Sequence, residues 1–184
     1  MASTAAYLAS LGWKRGEPWI EEVRVPAEMA WQEADLTIRK ARKTWSAAGV
    51  TMPDGKPLVT DDLPASLLLP MGRNGPAFLA YSNFDIYLEW NQSLNYAITA
   101  AYLARRIDGD PAMRHGNATV PPFGAAEIEK LQKILLEDGY PVGKVDGKLG
   151  ANTRAAVREA QIKLKLPADA YPTPELLRRL STGR

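Results

Sequence analysis

Apolar positions recur at helical spacing near both ends of the chain, and shorter unbroken apolar runs lie between them. Tyr7, Leu8 and Leu11 share one face of a short helix that Ser3 or Thr4 can cap and Gly12 stops. Residues 27–48 have a helix-forming composition, weakened by Thr37, Ile38 and Thr44, with a break expected near Asp35 and an end at Gly49. Pro53-Asp54-Gly55 is turn chemistry. The apolar segments 66–70 and 77–81, joined by Gly72-Arg73-Asn74-Gly75, predict a β-hairpin or a compact loop. Asn83 is placed to cap a helix over 84–90, and Ser93 to start another ending at Ile107. In that second helix Tyr96, Ala100, Leu103 and Ile107 recur at spacings of 4, 3 and 4.

Residues 109–122 combine glycine, proline and small polar residues without period, which predicts a linker between an N-terminal part, 1–108, and a C-terminal module, 123–184. In the module Ile128, Leu131 and Leu135 mark an amphipathic helix over 125–138, stopped by Gly139. Three glycines within 143–150 permit positive φ, and the Asp146 carboxylate can accept from backbone amides ahead of it, so a tight loop is expected. Asn152 or Thr153 then caps a second helix carrying Val157, Ala160 and Leu164. Thr173-Pro174-Glu175 opens a third, with proline at the first helical position.

A content of 46% apolar and 24% charged residues suits a globular protein. With 23 basic and 21 acidic residues the net charge is +2, too balanced for a nucleic-acid footprint. There is no cysteine, which excludes disulfides, thiolate metal sites and cysteine nucleophiles. The longest largely apolar run, 65–71, falls far short of the ~20 residues a membrane-spanning helix needs. No basic region followed by a long apolar stretch opens the chain, so either the protein stays inside the cell or the sequence lacks its natural beginning. Asp61-Asp62 reads as a solvated or capping pair. His115 is the sole histidine, without companions for a triad or a metal site. No cofactor or metal is implied.

The pattern Leu131-Gln132, Gly139-Tyr140, Gly143-x-Val145-Asp146-Gly147-x-x-Gly150-x-x-Thr153, Ala156-Val157 and Gln161 resembles the peptidoglycan-binding domain family. Ala160 stands where a bulky aromatic commonly precedes the glutamine, and Ala170 where glycine follows the aspartate. The resemblance implies a shallow groove beside the loop, with Tyr140, Asp146 and Asn152 as ligand contacts. The alternative is that these glycines and caps merely serve turns.

Residues 2–109 resemble the membrane-bound lytic transglycosylase B family, through Gly12-Trp13, Gly16-Glu17-Pro18-Trp19, Val23-Arg24-Val25-Pro26 and above all Tyr87-Leu-Glu-Trp-Asn-Gln-Ser-Leu-Asn-Tyr-Ala97. Members of that family cleave the β-1,4 bond between N-acetylmuramic acid and N-acetylglucosamine without water, leaving a 1,6-anhydro sugar, with one glutamic acid moving the protons. The Glu-Ser/Thr-x-x-Gly stretch that holds this acid in the family matches none of the contexts of Glu17, Glu21, Glu22, Glu28, Glu33 or Glu89. The resemblance implies that Trp90, Asn91 and Tyr96 occupy the positions that face the sugar in the family, with tryptophan where tyrosine is usual. Trp90 and Tyr96 could instead be core aromatics.

The expected fold is mainly α: a partial lysozyme-like helical domain with a small β element, followed by a three-helix peptidoglycan-binding module. The expected function is peptidoglycan binding as part of a periplasmic or cell-envelope lytic transglycosylase, the chain alone binding without cleaving. Such a chain could be an expressed fragment, a proteolytic product or a truncated gene. Apolar surface left by a missing half could drive self-association. Two alternatives stay open: a complete small enzyme using Glu28 or Glu33, and a scaffold that binds a partner.

Overall fold

Two continuous apolar runs form the centre of the N-terminal part because both of their faces are covered. β3 (Pro64–Leu68) and β4 (Ala77–Ala80) pair antiparallel with Leu67 opposite Leu79 and Leu68 opposite Phe78, the hairpin anticipated from the sequence. β1 (Ile20–Val23) and β2 (Lys40–Ala41) flank them, giving a four-stranded sheet in the order β1-β4-β3-β2. Leu67 and Leu79 face a core with Trp31, Trp45, Val50 and Leu58. Leu68, Phe78 and Ile20 face a second core under the helices. A strand buried on both sides loses the usual in–out alternation, which is why these segments read as unbroken apolar stretches. The structure, a computed structural model, describes residues 2–182, with side chains from residue 6 onward.

Residues 27–48 do not form the expected helix. They hold a single 3-10 turn at Trp31–Glu33, then β2, then the short α2 (Arg42–Ala47), after which Gly49 takes a φ of +88°. Tertiary demands override composition here. Trp31, Ala34 and Trp45 are each drawn into the sheet's core, and the Trp45 indole donates to the Ala65 carbonyl at 2.8 Å. Their spacing would equally fit one helical stripe, so periodicity does not distinguish that helix from the broken path the sheet imposes.

The opposite face of the sheet carries α3 (Ser82–Trp90) and α4 (Leu94–Ile107), preceded along the chain by α1 (Ala2–Ser10), which ends at Gly12 with φ +91°. The expected Ser3 or Thr4 cap concerns side chains outside those described. Ser93 caps α4 as anticipated, its hydroxyl accepting from the Tyr96 amide at 3.4 Å. Asn83 does not cap α3. It lies inside the helix, fully buried, with its Oδ1 accepting from the Lys14 amide (2.8 Å) and its Nδ2 donating to the carbonyls of Lys14 and Glu17 (both 2.9 Å), so it pins the loop after α1. The stripe expected to be apolar on α4 is also turned about. Ala97, Ile98 and Ala101 are buried, whereas Tyr96, Leu103 and Ile107 point outward. The helix has two apolar stripes, and the smaller residues fit against the sheet.

The C-terminal module consists of α5 (Ala125–Glu137), α6 (Ala151–Lys163) and α7 (Pro174–Thr182) around Leu131, Leu135, Val142, Val157 and Leu176. Thr173 caps α7, its hydroxyl accepting from the Leu176 amide at 3.1 Å, as its Thr-Pro-Glu sequence predicts. Neither Asn152 nor Thr153 caps α6. Gly150 holds that position with extended backbone, and Thr153 is buried inside the helix.

The stretch between the two parts has neither helix nor strand and lies along the first one. The Asn117 side chain donates to the Val25 carbonyl (3.0 Å), and the Arg114 amide donates to Glu22 (2.9 Å). The module in turn is latched to the sheet unit. Arg158 of α6 forms an ion pair with Asp35, Arg154 donates to the Pro70 carbonyl (2.7 Å), and the Arg73 amide donates to Asp169 (3.0 Å).

Candidate functional site

The loop after α5 is organised by one buried amide. Gln132 is 1% exposed; its Oε1 accepts from the Asp146 and Gly147 amides at 3.0 and 2.9 Å, and its Nε2 lies within bonding distance of the Lys148 carbonyl (3.0 Å) and the Thr153 hydroxyl (3.1 Å). A primary amide carries two donors and an acceptor oxygen with two lone pairs, so one side chain closes both strands of the loop. Asp146 is exposed, and its Oδ1 accepts from the Lys148 amide at 2.9 Å. That bond, then the Gln132 amide, holds the carboxyl below the ordinary carboxylate value.

Around this loop Tyr140 is half-buried against the module core, and Asn152 is exposed with its amide beside Gly143. Tyr140 thus precedes this loop, Asp146 lies in it, and Asn152 packs beside its first glycine. Asp146 spends one carboxylate oxygen on its own loop, leaving Oδ2 for a ligand.

The same device appears a second time. Gln161 donates to Asp169 (2.9 Å) and to the Tyr171 carbonyl (3.0 Å), and accepts from the Ala170 amide at 3.0 Å. Gly147 and Ala170 correspond within the two loops, with φ of +69° and +59°. The module is therefore a repeated helix-and-loop unit in which an alanine takes up a left-handed conformation normally reserved for glycine. The sequence signal for these two glutamines was a polar residue set beside the core stripe of an amphipathic helix.

A second candidate surface is the corner between α3 and α4. Trp90 and Tyr96 are 65% and 53% exposed, so neither is a core aromatic. Asn91 ends α3, and its Oδ1 accepts from the Ser93 amide at 2.9 Å, which leaves its amide nitrogen available. Two exposed rings and a fixed amide are the chemistry that packs on a sugar face and bonds an acetamido or hydroxyl group. Behind this corner Trp13 packs on Trp19 and Tyr87, with ring centroids 5.8 and 6.2 Å away, and Arg105 lies over Trp19. This aromatic group was not anticipated.

The carboxylates are mostly engaged in structure. Glu33 pairs with Lys40, Glu28 is exposed, and Glu21 binds both the Tyr81 hydroxyl and Arg42. Arg42 also holds Asp61, whose carboxyl it keeps below the ordinary value, while Asp62 pairs with Lys43 at the surface. Glu22 differs: burial pushes its carboxyl up, against the opposing bond from the Arg114 amide, and it borders a cavity of about 280 Å³ with Tyr102, Arg105 and Asp110. His115 lies near Glu22 in a smaller cavity of about 140 Å³. Among the described residues no group of three or more His, Asp or Glu is placed to hold a metal ion.

A mainly helical unit with a small sheet is thus joined to a three-helix module with glutamine-pinned loops. Residues 1–105 match the family described as Transglycosylase SLT domain, and residues 124–180 the one described as Putative peptidoglycan binding domain. The chain belongs to the SLT transglycosylase family, has its lysozyme-like fold, and carries a peptidoglycan-binding domain. It is similar to SltB3 from Pseudomonas aeruginosa, solved with NAG-anhNAM-pentapeptide, at 43% identity and a TM-score of 0.82 over 98% of this chain and 49% of that one. The complex of SltB3 with NAG-NAM-pentapeptide gives 43% identity and a TM-score of 0.82 over 97% and 49%. This chain spans about half the length of SltB3. Comparison with curated proteins returned no match.

Proposed function

We propose that this chain is the peptidoglycan-holding part of a lytic transglycosylase of the periplasm or cell envelope, and that by itself it binds the polymer without cleaving it. Residues 1–108 serve as the rear portion of the cleaving domain, 109–122 as the connector and 123–184 as the binding module. The observation that carries the reading is the α3–α4 corner, where Trp90, Asn91 and Tyr96 stand exposed on a backbone fixed by the Asn91 and Ser93 bonds. SltB3 was solved with sugar–peptide ligands of the kind such a corner and the loop beside Tyr140, Asp146 and Asn152 would hold. Pelleting with purified sacculi tests binding, and mass spectrometry of the supernatant tests cleavage. Binding without 1,6-anhydromuropeptides is expected, and a chain that stays in the supernatant overturns the reading.

A cleaving reading has one specific observation in its favour, the raised carboxyl of Glu22 beside a cavity. A general acid needs such a shift to stay protonated near neutral pH. Release of anhydromuropeptides by the wild type, abolished in Glu22→Gln, would establish that reading in place of the first.

A further inference from the structure

Between the sheet unit and the module lies a cavity of about 390 Å³. Its walls are mainly apolar: Phe78, Ile98 and Met113 on one side, Ile128 and Leu149 on the other. Arg154, in the first turn of α6, is the one charged side chain lining it among the described residues. Its Nη2 donates to the Pro70 carbonyl at 2.7 Å, and no carboxylate among the described residues pairs with it. Arg158, one turn further on, has Asp35 as its ion-pair partner. Asp169 acts on it only through its charge, its two oxygens being bonded to Gln161, the Tyr171 amide and the Arg73 amide and not to the guanidinium. A guanidinium has five N–H donors and stays charged, and leaving such a group in an apolar cavity without an anion is costly. Burial pulls Arg154 below the ordinary arginine value and outweighs the opposing influence of Tyr171 and Asp169, so a carboxylate in direct contact would be favoured.

We propose that this cavity is a subsite for a peptide carboxylate: Arg154 binds the carboxylate while Ile98, Met113, Ile128 and Leu149 enclose the small apolar residues next to it. Within the proposed function, that peptide is the stem attached to the glycan. The volume lies at the lower end of the range for ligand pockets, which suits two or three small residues and not a folded partner. Met71 and Met113, 44% and 41% exposed, line its edge and can repack around different side chains. The cavity exists only while the module is latched, because each unit supplies part of its wall. Occupancy therefore joins the two units.

The test is calorimetric titration of the full chain with a disaccharide pentapeptide, with the same compound amidated at its C-terminus, and with one amidated at its side-chain carboxylates. One of the two amidations is expected to weaken binding at least about tenfold, or 1.4 kcal/mol. Whichever it is identifies the carboxylate that Arg154 holds. In Arg154→Gln that difference disappears. Because Arg154 also anchors Pro70, the measure is this loss of discrimination and not the affinity of the variant alone. Thr99→Trp, which puts a ring into the cavity and leaves the Arg154 side chain in the sequence, is expected to weaken the unmodified compound to the level of the discriminating amide. Equal affinity for all three compounds, or discrimination that survives in Arg154→Gln, overturns the subsite. Sacculus pelleting by the same preparation separates the two levels: with pelleting intact only the subsite falls, and without pelleting the proposed function falls too.

Discussion

Replacing Gln132 with methionine removes a hydrogen-bonding hub while nearly preserving its volume, so the change isolates polar satisfaction from packing. In the native module its Oε1 serves the Asp146 and Gly147 amides, and Gly147 is buried. Two backbone donors lose their acceptor, each at about 1–3 kcal/mol, and the Lys148 carbonyl and Thr153 hydroxyl lose a donor. Water entering at the exposed Asp146 side recovers part of this, which leaves an expected loss of about 3 kcal/mol. All five tryptophans, at positions 13, 19, 31, 45 and 90, precede the connector, so tryptophan fluorescence follows the sheet unit while far-ultraviolet dichroism follows the helices of both units. In urea the dichroism midpoint of Gln132→Met is expected to fall by about 1–3 M, and the fluorescence midpoint by much less. A loss below about 1 kcal/mol, or two midpoints that fall together, would refute the claim that this amide holds the loop and that the cost stays within the module.

Gly72 has φ +70°, and a Cβ there would lie 2.8 Å from both Asp169 Oδ2 and Tyr171 Cβ; Gly72→Ala is therefore expected to cost about 1–3 kcal/mol at the junction, seen as transitions that separate by the same two probes. Gly147→Ala places a Cβ 2.8 Å from the Ala125 carbonyl oxygen at φ +69°, and a loss of about 2 kcal/mol or more is expected by urea denaturation. For Asp35, burial alone would raise the carboxyl, but the Thr37 hydroxyl and amide and the Arg158 guanidinium outweigh it and leave it below the ordinary value. Its stabilisation is thus present above the unfolded value of about 3.9 and lost as pH falls through the lower folded one, so the stability gap between wild type and Asp35→Asn is expected to close below about pH 3.

The module was largely legible because its signals are local. The Ile128, Leu131 and Leu135 spacing, the glycine-rich loop and Thr173-Pro174 each determine their own stretch of backbone. The β-hairpin was legible for a related reason, two apolar runs joined by a Gly-Arg-Asn-Gly connection. Residues 27–48 were not, because Trp31, Ala34 and Trp45 are placed by the sheet they pack on, and no period in the segment records that sheet. The two apolar stripes of α4 are equivalent in sequence, and only the narrow space above the sheet selects the one with alanines. Asn83 and Arg158 act on residues far along the chain, so neighbouring residues carry no trace of their roles. The candidate contacts at Trp90, Asn91 and Tyr96 came from resemblance, and their exposure is information that periodicity lacks.

The latch formed by Arg158, Arg154 and Arg73 has a consequence for how a polymer would be handled. A free connector of 14 residues, 109–122, would let the module wander by a root-mean-square distance of about 20 Å. A second contact with the same glycan strand would then be governed by a diluted effective concentration. With the module fixed on the sheet unit, a strand seized at one surface would meet the other at a set offset and heading, so the pair would act as a gauge with a fixed span.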